Sequence, residues 1–136
     1  MDSGKSIDNK TENFFVIRQK LPSMNEVVCV NRTNRFQGAK FKREIEELIG
    51  WSIRSALTRK TLYKPYGAVI VRFTWTEPNR RRDCDNIASA KKFILDALVK
   101  MKVLENDTQK YVVGFYDIFE IGKEHSVRVE LIEKET

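Results

Sequence analysis

The chain has 136 residues, 41% of them hydrophobic, and carries 25 Lys and Arg against 19 Asp and Glu, for a formal net charge of +6. That supplies one modest core in one domain, and the basic balance favours a polyanionic partner, although solvated lysines that only keep a protein in solution give the same balance. Two cysteines, Cys29 and Cys84, stand in dissimilar settings and exclude a disulfide framework or a cysteine-built metal site, so a reducing cytoplasm is the expected compartment; there is no signal peptide and no apolar run near the roughly 20 residues of a membrane span, so no membrane partner is expected.

Residues 1–13 are polar and aperiodic and read as a flexible lead-in, with the domain over 14–136. Phe14 to Lys20 clusters aromatic and β-branched residues and predicts a strand, stopped at Leu21-Pro22-Ser23 because proline cannot continue a ladder. Asn25 to Gly38 reads as a loop or irregular strand, whose Arg32 and Arg35 suit phosphate contact or plain solvation equally. From Ala39 to about Leu57, Phe41, Ile45, Leu48, Ile49, Ser52 and Ala56 recur at spacings of three and four, the core face of an amphipathic helix. Lys40, Lys42 and Arg43 load its first turn, where the helix dipole prefers acids, and a bound anion would offset that mismatch.

Ala68 to Thr76 alternates, with Val69, Val71, Phe73 and Trp75 facing one way, and predicts a second strand. After Glu77-Pro78-Asn79 a helix is expected from about Asn86 to Met101. Its main apolar stripe is Ile87, Ala90, Ile94, Ala97, Leu98 and Met101; Ala88, Leu95 and Val99 form a smaller stripe nearly opposite, to be covered by something else, with a second protomer the expected cover. Tyr111 to Ile121 and Ser126 to Ile132 read as strands joined by a turn at Gly122-Lys123-Glu124, a hairpin. The order β, α, β, α, β, β predicts an α+β fold, a mixed sheet of about four strands with two main helices on one face.

Between the second strand and that helix runs Arg80-Arg81-Arg82-Asp83-Cys84-Asp85-Asn86. Two crowded carboxylates repel unless a cation sits between them, and Mg²⁺ in phosphoryl-transfer sites is typically held by one or two carboxylates beside water or phosphate oxygens. In an extended segment Asp83 and Asp85 face one side while Cys84 points away into apolar surroundings. Bland readings exist for each residue: Asp85 as the helix N-cap, and the arginines and aspartates as an exposed salt-bridge cluster. A cap explains one aspartate and leaves the other. Other chemistries fare worse. His125, the single histidine, falls in a turn among charged residues; no Gly-rich phosphate loop is present; and a Cys84 thiolate would be suppressed by flanking aspartates. Metal-assisted hydrolysis leads.

The blocks Arg82-Asp83-Cys84-Asp85-Asn86, Leu95-Asp96-Ala97-Leu98 and Asn106-Asp107-Thr108-Gln109, in this order, resemble the RusA family of Holliday-junction resolvases, common in prophages. The similarity is dense from about Pro78 to Phe119; upstream, Leu21-Pro22-Ser23-Met24-Asn25 is similar to the family's Pro-Ser-x-Asn turn. The resemblance implies a small homodimeric α+β endonuclease, in the cytoplasm of a bacterial or phage-infected cell, that uses Mg²⁺, with Mn²⁺ as a substitute, to cut four-way branched DNA symmetrically. It assigns Asp83, Asp85 and Asp107 to the metal, and Arg82 to DNA contact. The family's catalytic lysine lies one helical turn after the second aspartate, where this chain has Ser89; anchoring on Leu95-Asp96-Ala97-Leu98, past a helix three residues longer, selects Lys92. Asp85, Ser89 and Lys92 share a helix face and Lys91 is turned away. Asn106 stands where family members often have another acid. Arg80, Arg81 and Arg82, with Arg32, Arg35, Lys40 and Asn25, form the expected DNA-binding set.

A continuous helix from Asn86 to Met101 would be about 24 Å long, holding Asp85 and Asp107 apart within one chain. The expectation is therefore a metal site shared across a dimer, Asp83 and Asp85 from one protomer and Asp107 from the other. Two rival readings stand beside it: a non-catalytic basic module that binds nucleic acid, with the aspartates as caps and ion-pair partners, and a nuclease of the same fold that prefers flaps or forks.

Overall fold

β2, Val69–Glu77, is the spine of the molecule: every second residue from Val69 is buried, and it is bonded along both edges. The computed structural model describes residues 12–134. Around β2 lie β1 (Phe14–Ile17), α1 (Met24–Thr33), α2 (Arg35–Arg59), α3 (Cys84–Ala88), α4 (Lys91–Lys100), β3 (Val112–Ile121) and β4 (Ser126–Glu133). The strands form one mixed sheet in the order β1-β4-β2-β3, with β2 parallel to β3 and antiparallel to β4. Val69, Val71, Phe73 and Trp75 meet Ile45, Ile49 and Ile53 of α2 and Ile94 and Leu98 of α4 in a single core, so the chain is one α+β domain. Among the described residues no helix is long and apolar enough to cross a membrane.

Four expectations are corrected. First, β3 and β4 are not a hairpin. Their link crosses the end of β2, where Gly122 N–H donates to Glu77 C=O at 2.9 Å and a Cβ on Gly122 would lie 2.6 Å from Thr76 Cγ2. A four-residue connection looks like a hairpin turn in sequence, but β2 buries every second side chain along its whole length and takes a partner on each side. Second, Asn25 to Gly38 is helical rather than loop or strand. Ser23 caps α1 in a capping box with Glu26, and Asn34 closes α1 and opens α2, its Oδ1 accepting from Phe36 N and Gln37 N at 2.9 and 3.1 Å. α2 therefore begins four residues before the expected Ala39.

Third, the helix expected over Asn86–Met101 is jointed. α3 gives way at Ser89-Ala90, where Ala90 N bonds Ile87 O and Phe93 N bonds Ala90 O, tighter i to i+3 bonds, before α4 resumes. Its smaller stripe is already covered: Leu95 is buried and Ala88 and Val99 pack against the chain's own core. Fourth, of the expected lead-in, residues 1–11 lie outside the described residues, while Asn13 is buried and tied to Tyr63 by two hydrogen bonds of 2.8 Å.

Candidate functional site

The sequence blocks before β2 and after it meet in space. Ser89 Oγ accepts from Met24 N at 3.0 Å and donates to Asn86 O at 2.7 Å, and Asn25 Nδ2 lies 3.4 Å from Asn86 Oδ1. The Pro22-Ser23-Met24-Asn25 turn is thereby fastened to the segment holding both aspartates. Ser89 serves this fastening with its hydroxyl, as acceptor and donor.

Asp83 is the N-cap residue of α3, extended at φ −70° and ψ 150°, and its side chain makes no cap hydrogen bond. Asp85, expected as the cap, is inside the first turn, where its Oδ1 accepts from Asn86 N at 3.0 Å. Both are exposed, and among the described residues neither forms an ion pair with the arginines beside it. Cys84 is exposed too, not turned into apolar surroundings, because the helix begins at Cys84 and the strand-like alternation never forms.

The arginines divide. Arg80 and Arg81 are exposed. Arg82 is turned inward: Nε and Nη2 donate to Glu77 Oε1 and Oε2 at 3.1 and 2.8 Å, and Nη1 donates to Leu21 O at 3.2 Å, with Glu26 at 3.8 Å. His125 Nδ1 lies 3.2 Å from Glu77 Oε2, so the histidine is half-buried in this cluster and not on a free surface turn. Burial raises the Glu77 pKa, but the hydrogen bonds and charges of Arg82 and His125 outweigh it and hold the carboxyl below its ordinary value. Arg82 thus locks the loop before Asp83 to the end of β2.

The two lysines at the start of α4 diverge. Lys92 is exposed and pairs with Asp96 at 3.1 Å; that hydrogen bond, with the negative charge of Asp107 adding to it, raises its pKa. Asp107 therefore lies within electrostatic reach of Lys92 in the same chain, because the segment after α4 folds back: Val103 N and Leu104 N both donate to Leu98 O. Asp107 then borders a shallow depression with Gln109, Val112, Val113, Gly114 and Phe115 at the start of β3. The joint at Ser89-Ala90 also removes the straight rod from which the shared face of Asp85, Ser89 and Lys92 was expected.

Lys91, expected to be turned away from the face of Asp85 and Lys92, is engaged within the chain. Its Nζ donates to Asp117 Oδ2 at 2.7 Å and stands 4.4 Å from the Phe115 ring centroid, while Trp75 Nε1 donates to Asp117 Oδ1 at 2.8 Å. The signal was available in Asp117, an acid that alternates with Phe115, Phe119 and Ile121 along one face of β3.

Among the described residues no three Asp, Glu, His or Cys side chains are gathered to hold a metal ion. Asp83 and Asp85, exposed and without an ion-pair partner among the described residues, are nonetheless hard oxygen donors of the kind that Mg²⁺ accepts. Arg32, Arg35 and Lys40 are exposed around the α1–α2 corner, on the far end of α1 from Asn25. No family model matches the chain, and no curated protein matches it.

Proposed function

We propose that the protein is a Mg²⁺-dependent, structure-specific endodeoxyribonuclease that resolves Holliday junctions by paired phosphodiester hydrolysis in recombination and repair, as its resemblance to the RusA family implies. One observation carries the reading: Asp83 occupies a cap position without capping, and neither it nor Asp85 pairs with the flanking arginines. The bland readings, cap and salt-bridge cluster, each require bonds that are absent among the described residues.

Asp83 and Asp85 would hold the metal, completed by Asp107 of a second protomer, and Mg²⁺ there supplies Lewis acidity toward a phosphate oxygen and an acidified water. Lys92 offers a mobile ammonium, which exchanges Asp96 for the developing charge on phosphate. Arg80 and Arg81 hold the backbone, and Arg82 keeps the Asp83 loop in place.

A homodimer is part of the proposal, and β3 supports it better than the stripe on α4. Phe115, Phe119 and Ile121 lie on the side of the sheet that helices cover elsewhere, yet they are 48%, 38% and 49% exposed. Asp117, the charge among them, is neutralised by Lys91, so two basic chains meet there without repulsion. The depression that Asp107 borders reaches Phe115, at one end of this row.

Incubation with four-way, flap and linear duplex DNA, in Mg²⁺ and in EDTA, tests the reading. Paired symmetric nicks confined to the four-way substrate support it; cuts confined to flaps shift the substrate; binding without cuts leaves the non-catalytic module. Asp83→Asn should fall below about one hundredth of the wild-type cutting rate with junction binding intact. Normal cutting by that variant in Mg²⁺ removes the assignment.

A further inference from the structure

We propose that Phe36, carried at the corner between α1 and α2, is an aromatic wedge that stacks on an exposed base at a DNA branch point. This rests on the nuclease reading and deepens it by naming what distinguishes branched from linear substrate.

Phe36 is 87% exposed. It precedes the core residue Ile45 by about two and a half helical turns and so lies on the face of α2 opposite the core. Leaving a phenylalanine in water forgoes roughly 1.5–3 kcal/mol of burial, which makes a fully presented ring an unusual choice unless something covers it. Its surroundings select the cover. From Val27 to Arg43 the chain holds no acid, while Arg32, Arg35, Lys40, Lys42 and Arg43 are all exposed and, among the described residues, make no ion pair. A basic surface with an aromatic at its tip is the arrangement that holds unpaired bases: cations follow the phosphates and the ring takes a base face. Two copies of so basic a corner would repel one another.

The corner is also rigid. Asn34 Oδ1 binds the amides of Phe36 and Gln37, and Gly38 brings α2 so close to α1 that a Cβ there would lie 2.7 Å from Asn31 Cα. A preset ring loses little freedom on stacking. α1 spans about 15 Å, and its other end is fastened to Ser89 beside the two aspartates. The wedge and the carboxylates are thus joined through one connected unit.

The test uses a four-way junction with 2-aminopurine at the branch and a matched linear duplex, both in EDTA, so that no cutting intervenes. Wild-type protein should change the 2-aminopurine fluorescence and prefer the junction. Phe36→Ala should abolish the change and lower junction affinity ~5- to 100-fold, with linear-duplex affinity within about twofold. Phe36→Trp should keep both properties. Arg35→Ala should weaken both substrates together and flatten the salt dependence by about one phosphate contact. Thermal melting of Phe36→Ala should match wild type, since the ring supports no core.

An unchanged junction preference and fluorescence response in Phe36→Ala overturn the wedge, as does a drop in molecular mass by light scattering without a DNA effect, which would make Phe36 a contact between copies. If wild-type protein cuts nothing in Mg²⁺, the nuclease reading fails by itself, and the EDTA binding measurements still decide the role of Phe36.

Discussion

At the scale of single residues, the Arg80–Asp85 stretch divides into groups that face solvent and one that braces the fold. Arginine in front of an aspartate is equally compatible with phosphate contact and with an internal ion pair, and sequence spacing does not distinguish them. What decides for Arg82 is Glu77, the last residue of β2, which is buried and has both oxygens engaged by the guanidinium. Removing one partner of a buried pair leaves the other uncompensated, so Glu77→Gln should destabilise the protein by about 3 kcal/mol at neutral pH, measured by urea unfolding. The acid dependence follows from the direction of the Glu77 shift. Its folded pKa is below the ordinary 4.5, so its stabilisation is complete above that value and is lost as pH falls through the lowered one. The gap between wild type and Glu77→Gln should therefore be widest near neutrality and close in strong acid. A gap that stayed constant with pH would mean that Glu77 acts through shape and not through charge.

Among the elements, those with strong periodicity were readable and those set by tertiary partners were not. The strand alternation of Val69, Val71, Phe73 and Trp75 and the helical spacing of Ile45, Ile49 and Ala56 coincide with the buried faces, because both signals arise from the core they line. α1 escaped detection since it has no fully buried residue and its Val27-Val28-Cys29-Val30 run has β-strand composition. The neighbours of β3 were likewise invisible: alternation says which face is buried, not which strand lies alongside. The α1–α2 corner can be checked by two glycine substitutions that ought to move in opposite directions. Gly50→Ala meets nothing within 4 Å and should gain up to about 1 kcal/mol from helix propensity. Gly38→Ala has the same propensity gain, but its Cβ would lie 2.5 Å from Asn31 Oδ1 and 2.7 Å from Asn31 Cα, and a backbone atom does not swing aside. It should lose about 1–3 kcal/mol, lowering the melting temperature. Equal shifts in both variants would mean that the helices are not held in contact at Gly38.

For the whole molecule, the site legible in sequence is divided between two places. Motif order singled out Asp83 and Asp85 but did not say that their segment lies against the Pro22–Asn25 stretch, which the Ser89 and Asn86 hydrogen bonds show, and the distance to Asp107 was inferred from a straight helix that the joint at Ser89-Ala90 interrupts. The shared-site proposal takes Asp107 as a third ligand, and no three acids are gathered among the described residues of one chain. Mixed dimers test it directly. If Asp83 and Asp85 of one protomer work with Asp107 of the other, then pairing an Asp83→Asn chain with an Asp107→Asn chain puts both lesions in one site and leaves the second site intact. Each variant alone should be inactive, and the co-refolded mixture should nick one strand per junction at up to about half the wild-type rate per heterodimer. If each chain builds its own site, every site in the mixed dimer carries one lesion and the mixture stays dead. The same preparation tests the β3 interface. Adding Phe119→Lys to both chains places cations opposite each other at the joined row, which should reduce the mass by light scattering to that of one chain and abolish the complementation. Restored nicking with Phe119→Lys present would place the contact on another face.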